Sequence, residues 1–170
     1  MKTLTTLILL LLAMNISAQD INKKIADPSR NKTVLINECT REGLTAFPEF
    51  EERYAIEYPA YVPDSLTLDS LKPLIKEQKI TIVLGTWCGD SKLQVPRFFK
   101  ILDALQVSEK NITLICVDVH KKAENGLIDP LKIERVPTFI LYEKGQEIGR
   151  IIESPKISLE KDLLLILSKK

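Results

Sequence analysis

The sequence predicts an α/β fold: a central mixed sheet of about four strands with flanking helices, preceded by a mainly helical N-terminal extension. From about residue 65 onward, short apolar runs alternate with segments that carry apolar residues at helical spacing. One apolar run ends at Trp87-Cys88 and passes directly into an amphipathic segment. We therefore expect a signal peptide over residues 1–18, an extension over 19–64 and an α/β domain over 65–170.

The first 18 residues have the composition of an export signal. Lys2 supplies the positive charge, residues 4–13 are apolar, and a small residue, Ala18, stands at the expected cleavage point. The apolar segment is shorter than the roughly 20 residues that a membrane-spanning helix needs. We therefore expect an exported, periplasmic protein that has no stable membrane insertion after the signal is removed.

The charge composition narrows the range of partners. The 24 basic and 23 acidic residues nearly cancel, which argues against a nucleic-acid or membrane-surface partner. The single histidine and the unclustered cysteines argue against a structural zinc site. We predict no metal and no cofactor.

The extension contains aromatic residues at spacings close to one face of a helix. They are Phe47, Phe50, Tyr54, Tyr58 and Tyr61. We expect this face to pack the extension against the main sheet. A peptide-binding surface is the alternative.

The α/β domain is predicted to contain the order α-β-α-β-α-β-β-α. In chain order the elements are a helix near 68–75, a strand at 79–86, a helix at 90–106, a strand at 111–119, a short apolar segment at 127–133, strands at 138–142 and 146–152, and a final helix. Asp69 is a candidate N-cap of the first helix, and Ser158 of the last. The two late strands flank a short segment ending at Gly145, which predicts a hairpin turn.

Four local motifs give residues 65–170 a resemblance to a known superfamily. Residues 87–89 read Trp-Cys-Gly, Pro96 follows Cys88 by eight positions, residues 136–138 read Val-Pro-Thr, and Gly145 lies in the hairpin turn. Together these motifs resemble the thioredoxin superfamily. With its N-terminal extension, the chain is similar to exported thioredoxin-like proteins of the Bacteroidetes type.

The resemblance implies a set of site residues. Cys88 would be the reactive thiol, and Pro137 would follow a cis peptide bond that exposes the backbone of Val136 to an extended peptide. Trp87 would offer a flat apolar surface to a substrate beside the sulfur. The implied substrate-binding residues are thus Trp87, Val136 and Pro137.

Cys88 is expected at the start of a helix, where free backbone N–H groups and the helix dipole favour a thiolate. In the two-thiol members of the superfamily, the position of Ser91 holds the cysteine that resolves the mixed disulfide. A serine hydroxyl can hydrogen-bond a thiolate but cannot attack a disulfide. Ile82 also stands where the superfamily often has a buried acid that serves the resolving cysteine. With Ser91 beside Cys88, net reduction of a substrate therefore needs a second thiol from elsewhere.

The other two cysteines have different expected roles. Cys39 lies in the extension and is a possible resolving thiol if the extension folds over Cys88. Otherwise it packs within the extension or bonds another protein. Cys116 lies within an apolar strand pattern and is interpreted as a buried spectator.

Three functions are compatible with these residues. The leading hypothesis is an exported monothiol protein that exchanges disulfides of exported proteins or small molecules through Cys88, as a reductase or isomerase. The alternative is a non-catalytic module that binds peptides at the groove beside Trp87 and Pro137. A third hypothesis follows because residues 88–91 resemble the Cys-Gly-Phe-Ser motif of monothiol glutaredoxins, which bind iron–sulfur clusters with glutathione.

Overall fold

The computed structural model describes residues 20–169, so the predicted signal peptide lies outside the described residues. The strands and helices are β1 (Lys24–Asp27), β2 (Lys32–Leu35), β3 (Asn37–Cys39), α1 (Arg41–Thr45), α2 (Pro48–Ala60), α3 (Ser65–Ile75), β4 (Lys79–Leu84), α4 (Gly89–Ala104), β5 (Ile112–Cys116), β6 (Thr138–Glu143), β7 (Gln146–Ile152) and α5 (Leu159–Leu167). Within the described range, no helix combines the length and the apolar character needed to cross a membrane.

The central sheet has five strands, in the order β3-β5-β4-β6-β7. Strands β4 and β5 are parallel, and the other neighbouring pairs are antiparallel. Four strands come from the predicted α/β domain, and β3 comes from the extension. The extension therefore contains strands as well as helices, because β1 and β2 also form a separate two-stranded hairpin before α1.

Alternating residues of the sheet build a core on each face. On the first face Ile82, Leu114 and Phe139 are neighbours in register and belong to a large buried cluster, which includes residues of all five α-helices of the described range. On the second face Val83 and Ile115 belong to a smaller cluster, which is covered by the irregular segment between β5 and β6. The alternation places consecutive residues of β4 in two different apolar environments.

Helix α4 is held on the first face by a buried aromatic stripe. The side chains of Phe98 and Phe99 are fully buried, and the Phe98 ring lies 4.4 Å from the Phe139 ring, centroid to centroid. Pro96 lies inside the helix, where its missing N–H removes one backbone hydrogen bond. The helix begins at Gly89, so Cys88 is the residue directly before it.

Side-chain caps and a glycine turn set the ends of several other elements. Helix α3 starts earlier than predicted, because Asp64 is its N-cap and accepts a 2.8 Å hydrogen bond from the Thr67 N–H. The predicted cap, Asp69, lies in the middle of the helix, so that assignment was wrong. Ser158 caps α5 as predicted. Gly145 has a φ of 81° in the turn between β6 and β7, a conformation that glycine adopts without strain.

An ionic cluster attaches the extension to α4. The Arg41 guanidinium donates to both carboxylate oxygens of Asp103, at 2.7 and 2.5 Å, and the Tyr58 hydroxyl donates to the same carboxylate at 2.7 Å. Burial alone would raise the pKa of Asp103, but the hydrogen bonds from Arg41 and Tyr58 outweigh it and lower that pKa. Hydrogen bonding to Asp103 together with burial raises the pKa of Tyr58 to about 12.

Replacing this carboxylate should weaken the fold in a pH-dependent way. We expect Asp103→Asn to lower the free energy of unfolding by about 1–2 kcal/mol at pH 7, because a charge-assisted pair is lost at a partly exposed site. The pKa of Asp103 in the folded state lies below its ordinary value of 3.8, so the ionised carboxylate stabilises the fold above that pH. This stabilisation is lost as the pH falls and the carboxylate becomes protonated. The difference from wild type should therefore shrink below about pH 4.

Urea unfolding at pH 7 and at pH 3.5 measures this difference. The matched control is Glu109→Gln, because Glu109 is the more exposed carboxylate that Arg41 also contacts, at 2.9 Å. The control substitution should lower the free energy of unfolding by less than about 0.5 kcal/mol. Equal losses for the two variants, or a difference that persists in acid, would contradict the role assigned to Asp103.

Candidate active site

Cys88 lies at the end of the turn that connects β4 to α4. The Cys88 N–H donates to the Gly85 carbonyl at 3.0 Å, which closes a tight turn after the strand. The Cys88 backbone is extended at the N-cap position, and its carbonyl accepts from the Lys92 N–H at 3.0 Å. Its side chain is half-buried and packs against the smaller, second-face cluster. The sulfur thus stands at the amino end of a 16-residue helix, with partial access to solvent.

A proline loop faces the sulfur. The Val136–Pro137 peptide bond is cis, as the resemblance implied. The Cys88 thiol donates to the Val136 carbonyl oxygen across 3.2 Å. Carbonyl oxygens are acceptors only, so the thiol is the donor in this contact. Cys88 and the loop of Val136 and Pro137 are therefore neighbours in the structure.

Ser91 is fully buried in the first turn of α4. Its hydroxyl oxygen accepts a hydrogen bond from the Gly85 N–H at 3.2 Å. Among the hydrogen bonds of residues 20–169, none joins Ser91 to the Cys88 sulfur. The hydroxyl therefore ties the start of the helix to the end of β4.

Trp87 is held by contacts on its ring and its backbone. The indole N–H donates to the Val117 carbonyl at 2.9 Å. Arg30, in the turn between β1 and β2, places its guanidinium carbon 5.0 Å from the centre of the Trp87 ring and donates to the Trp87 carbonyl at 3.2 Å. The buried Asp27 carboxylate lies 3.9 Å from the Arg30 side chain. The extension thus reaches the residue beside Cys88.

Removal of this guanidinium should expose the indole. We expect Arg30→Ala to increase quenching of Trp87 fluorescence by acrylamide while lowering the free energy of unfolding by less than about 1 kcal/mol. Trp87 is the single tryptophan of the chain, so the fluorescence reports on this site alone. Arg30→Lys is the control, because it keeps the charge and should give an intermediate value. Quenching that stays at the wild-type level in Arg30→Ala would exclude the shielding role.

Two residues of this site escaped the sequence analysis. A Cβ at Gly85 would lie 2.5 Å from the Trp87 ring, so glycine is required there for the indole to pack against the backbone. A glycine at the end of a strand, two residues before the tryptophan, was a usable signal for this contact. The sequence held no such signal for Arg30, because no local pattern relates a turn in the extension to a distant helix start.

The structure brings Cys39 to Cys116 rather than to Cys88. The Cys39 and Cys116 sulfurs lie 3.3 Å apart, and both side chains are buried in the first-face core. A hydrogen bond with Cys39, together with burial, raises the pKa of Cys116 well above its ordinary value. Cys116 is therefore buried, as expected, and its nearest sulfur belongs to the extension.

Within residues 20–169, no group of three or more histidine, cysteine, aspartate or glutamate side chains is arranged to hold a metal ion. The chemistry that the site offers is that of a single thiol beside an apolar ring and a cis-proline loop.

A parallel strand pair, a cysteine at the following helix start and a facing cis-proline loop define a protein of the thioredoxin fold class. A family model for thioredoxin matches residues 65–164. The chain therefore belongs to the thioredoxin family. The match begins after the extension, which lies outside the matched range.

Similar proteins agree with this assignment at low identity. The chain is 32% identical to thioredoxin H2-1 of rice (Oryza sativa) over 79 residues, which cover 46% of this chain and 53% of the rice protein. It is 28% identical to thioredoxin H9 of Arabidopsis thaliana over 101 residues, covering 58% and 68% of the two chains. The chain thus spans about half the length of the rice relative.

A solved structure supports the fold alone. A Pseudomonas aeruginosa protein of unknown function matches with a TM-score of 0.50 at 16% identity, covering 74% of this chain and 77% of that one. Because the match extends beyond the family range, it also includes part of the extension.

Proposed function

We propose that this protein is an exported monothiol member of its family that exchanges disulfides through Cys88. The observation that carries the proposal is the half-buried Cys88 sulfur at the start of α4, 3.2 Å from the Val136 carbonyl oxygen, with serine where a second thiol would stand. The helix start offers free N–H groups that stabilise a thiolate. Export rests on the composition of residues 1–18.

The exchange proceeds in two balanced steps. The Cys88 thiolate attacks one sulfur of a substrate disulfide, which forms a mixed disulfide and releases the other substrate sulfur as a thiolate. A thiolate from a second molecule then attacks the mixed disulfide. If it attacks the substrate sulfur, the substrate leaves with a new disulfide and Cys88 is regenerated. No net oxidation or reduction of Cys88 occurs, which suits reshuffling of disulfides.

The second thiol is proposed to come from outside the chain. Ser91 is occupied with the Gly85 N–H, and a hydroxyl cannot replace a thiol in this step. Cys39, the resolving thiol considered from the sequence, lies beside Cys116 in the first-face core, whereas Cys88 packs against the second-face cluster. Small thiols or thiols of exported proteins are therefore the expected partners.

The substrate is proposed to bind as an extended peptide beside the sulfur. Val136 and Pro137 form the loop beside the sulfur, and Trp87 offers an apolar face. Arg30 limits access to one side of that ring, because its guanidinium lies over it. This arrangement favours a substrate that approaches from the side of the proline loop.

The decisive experiment is alkylation of the native, reduced protein as a function of pH, followed by peptide mapping. Trypsin separates the three cysteines onto peptides 33–41, 80–92 and 111–121, so each thiol is followed independently. We expect peptide 80–92, which contains Cys88, to be alkylated at least about tenfold faster than the others, because thiolate content and exposure set the rate.

Variants of Cys88 provide the control. Cys88→Ala should abolish the multiple-turnover exchange between a model disulfide and an external thiol, whereas Cys39→Ser should retain it. A slow Cys88 whose alkylation rises only in alkaline solution would exclude exchange chemistry and favour the peptide-binding module. A visible absorbance band in protein purified without oxygen would instead favour the iron–sulfur hypothesis.

A further inference from the structure

The closest pair of sulfurs in the described chain is remote from Cys88. Cys39 ends β3, the edge strand that the extension adds to the sheet, and Cys116 ends β5, the strand beside it. In the register of this antiparallel pair, Cys39 lies opposite Leu114 and Cys116 opposite Asn37. The two cysteines are therefore diagonal neighbours, and both side chains point to the first face.

Their sulfurs are close to bonding distance. The 3.3 Å between Cys39 Sγ and Cys116 Sγ exceeds a disulfide bond of about 2.05 Å by little more than 1 Å. Strand β3 has three residues and lies at the sheet edge, so a small shift of one short strand brings the sulfurs together. Cys116 lies on β5, which is paired with a strand on each side, so we expect the shift to occur in β3.

The pair is reachable from one side only. Cys116 is fully buried, whereas Cys39 retains 8% of its exposure. A surface cavity of about 250 Å³ is lined by Cys39 together with Arg41, Glu109 and Ile112. A small disulfide that enters this cavity therefore meets Cys39 first.

We propose that Cys39 and Cys116 form an intramolecular disulfide that fastens the extension to the central sheet when the protein meets a disulfide oxidant. This bond is a structural modification on the face of the sheet opposite the Cys88 cluster, and it does not depend on the proposed exchange activity. It leaves Cys88 as the single free thiol among the three cysteines of the chain.

The reaction balances with a small-molecule disulfide as the oxidant. The Cys39 thiolate attacks that disulfide, forms a mixed disulfide and expels one thiolate. The Cys116 thiolate then attacks the Cys39 sulfur, the second thiolate leaves, and the Cys39–Cys116 bond forms. The protons of Cys39 and Cys116 pass to the two released thiolates. Two protein thiols are oxidised, and one oxidant disulfide is reduced to two thiols.

The raised pKa of Cys116 fits this order of events. Its hydrogen bond with Cys39 and its burial keep that thiol protonated until the first step changes its neighbour. Once the Cys39 sulfur carries the mixed disulfide, the second step becomes an attack between adjacent sulfur atoms.

The test follows the linkage directly in the full chain. Reduced protein is incubated with oxidised glutathione, its remaining thiols are blocked in denaturant, and it is digested with trypsin without reduction. We expect peptides 33–41 and 111–121 to be recovered as one linked species that has lost two hydrogen atoms. Peptide 80–92 should be recovered separately, blocked or carrying glutathione. The same link should form in Cys88→Ser, which shows that Cys88 does not deliver it.

Thermal unfolding measures the consequence of the link. The bond would join residues separated by 77 positions, from 39 to 116. Closing so long a loop should raise the Tm of oxidised Cys88→Ser by about 5–15 °C over its reduced form. Cys39→Ser/Cys88→Ser, which cannot form the link, should show no such rise.

Three results would overturn the proposal. Recovery of peptides 33–41 and 111–121 as separately blocked species would show that the sulfurs do not join. A link between 33–41 and 80–92 would instead make Cys39 the resolving thiol of Cys88. A Cys39–Cys116 link that forms without a rise in Tm would show that the disulfide does not fasten the extension to the sheet. None of these results decides whether Cys88 is reactive, which the alkylation experiment measures on its own peptide.

Discussion

Ser91→Cys is expected to turn the chain into a dithiol reductase, with turnover of a disulfide substrate at least about tenfold above wild type. Residue 91 follows Cys88 by three positions at the start of a helix, so the two side chains lie on neighbouring parts of the same turn. A thiol at position 91 would attack the mixed disulfide within the molecule. It would thereby replace a collision with an external thiol by an intramolecular step.

The site is prepared for this change only in part. Ser91 is fully buried and its oxygen accepts from the Gly85 N–H, and sulfur is a weaker acceptor of that bond. We therefore expect a loss of about 0.5–1.5 kcal/mol in the free energy of unfolding. Ile82 is fully buried in the core, so no carboxylate at that position assists proton transfer to or from the new thiol. The gain should therefore remain below that of a naturally dithiol relative.

The measurement is the rate of reduction of a protein disulfide, such as insulin, with dithiothreitol as the terminal reductant. Ser91→Ala is the matched control, because it loses the same hydrogen bond without adding a thiol. Ser91→Cys/Cys88→Ser should be inactive, which excludes the new thiol as an independent nucleophile. A Ser91→Cys rate equal to wild type, in a variant that unfolds normally, would show that the absent thiol is not what limits the reaction.

The parts of the fold with strong local periodicity were predictable from the sequence. The apolar run before Trp87 gave β4, and the stripe that includes Phe98 gave α4, because a buried strand and an amphipathic helix each leave a local pattern. The thiol, the facing proline loop and the serine in place of a second cysteine were all identified from short motifs. Their meeting at Cys88 follows from the fold that those motifs imply.

The contributions of the extension were not predictable in the same way. Strand β3 has three residues, Asn37–Cys39, which is too short for an alternating pattern. Its pairing with β5 depends on a contact across some 77 positions, and the approach of Cys39 to Cys116 is a consequence of that pairing. The placement of Arg30 over Trp87 likewise follows from tertiary packing. The aromatic spacing in α2 was the one feature of the extension that predicted its packing on the domain. The extension makes this contact through the buried Phe50.

The largest loss of stability is expected from Phe98→Ala. Its ring is fully buried on the first face and lies 4.4 Å from the Phe139 ring, between α4 and the sheet. Truncation removes apolar contacts and leaves a cavity that the surrounding core fills only in part. We therefore expect the free energy of unfolding to fall by about 3–5 kcal/mol. The Tm should fall by about 10 °C for a domain of this size.

Urea and thermal unfolding measure this loss, and two variants bracket it. Phe98→Leu keeps most of the buried volume and should cost about 1–2 kcal/mol. Leu165→Ala, at a side chain that is 53% exposed, should cost less than about 0.5 kcal/mol. Below the transition the alkylation rate of Cys88 should stay close to wild type, because hydrogen bonds of Gly85 with Cys88 and Ser91 fix the helix start locally. A Cys88 rate that changes as much as the stability would instead show that the geometry of the thiol depends on the packing of the whole helix.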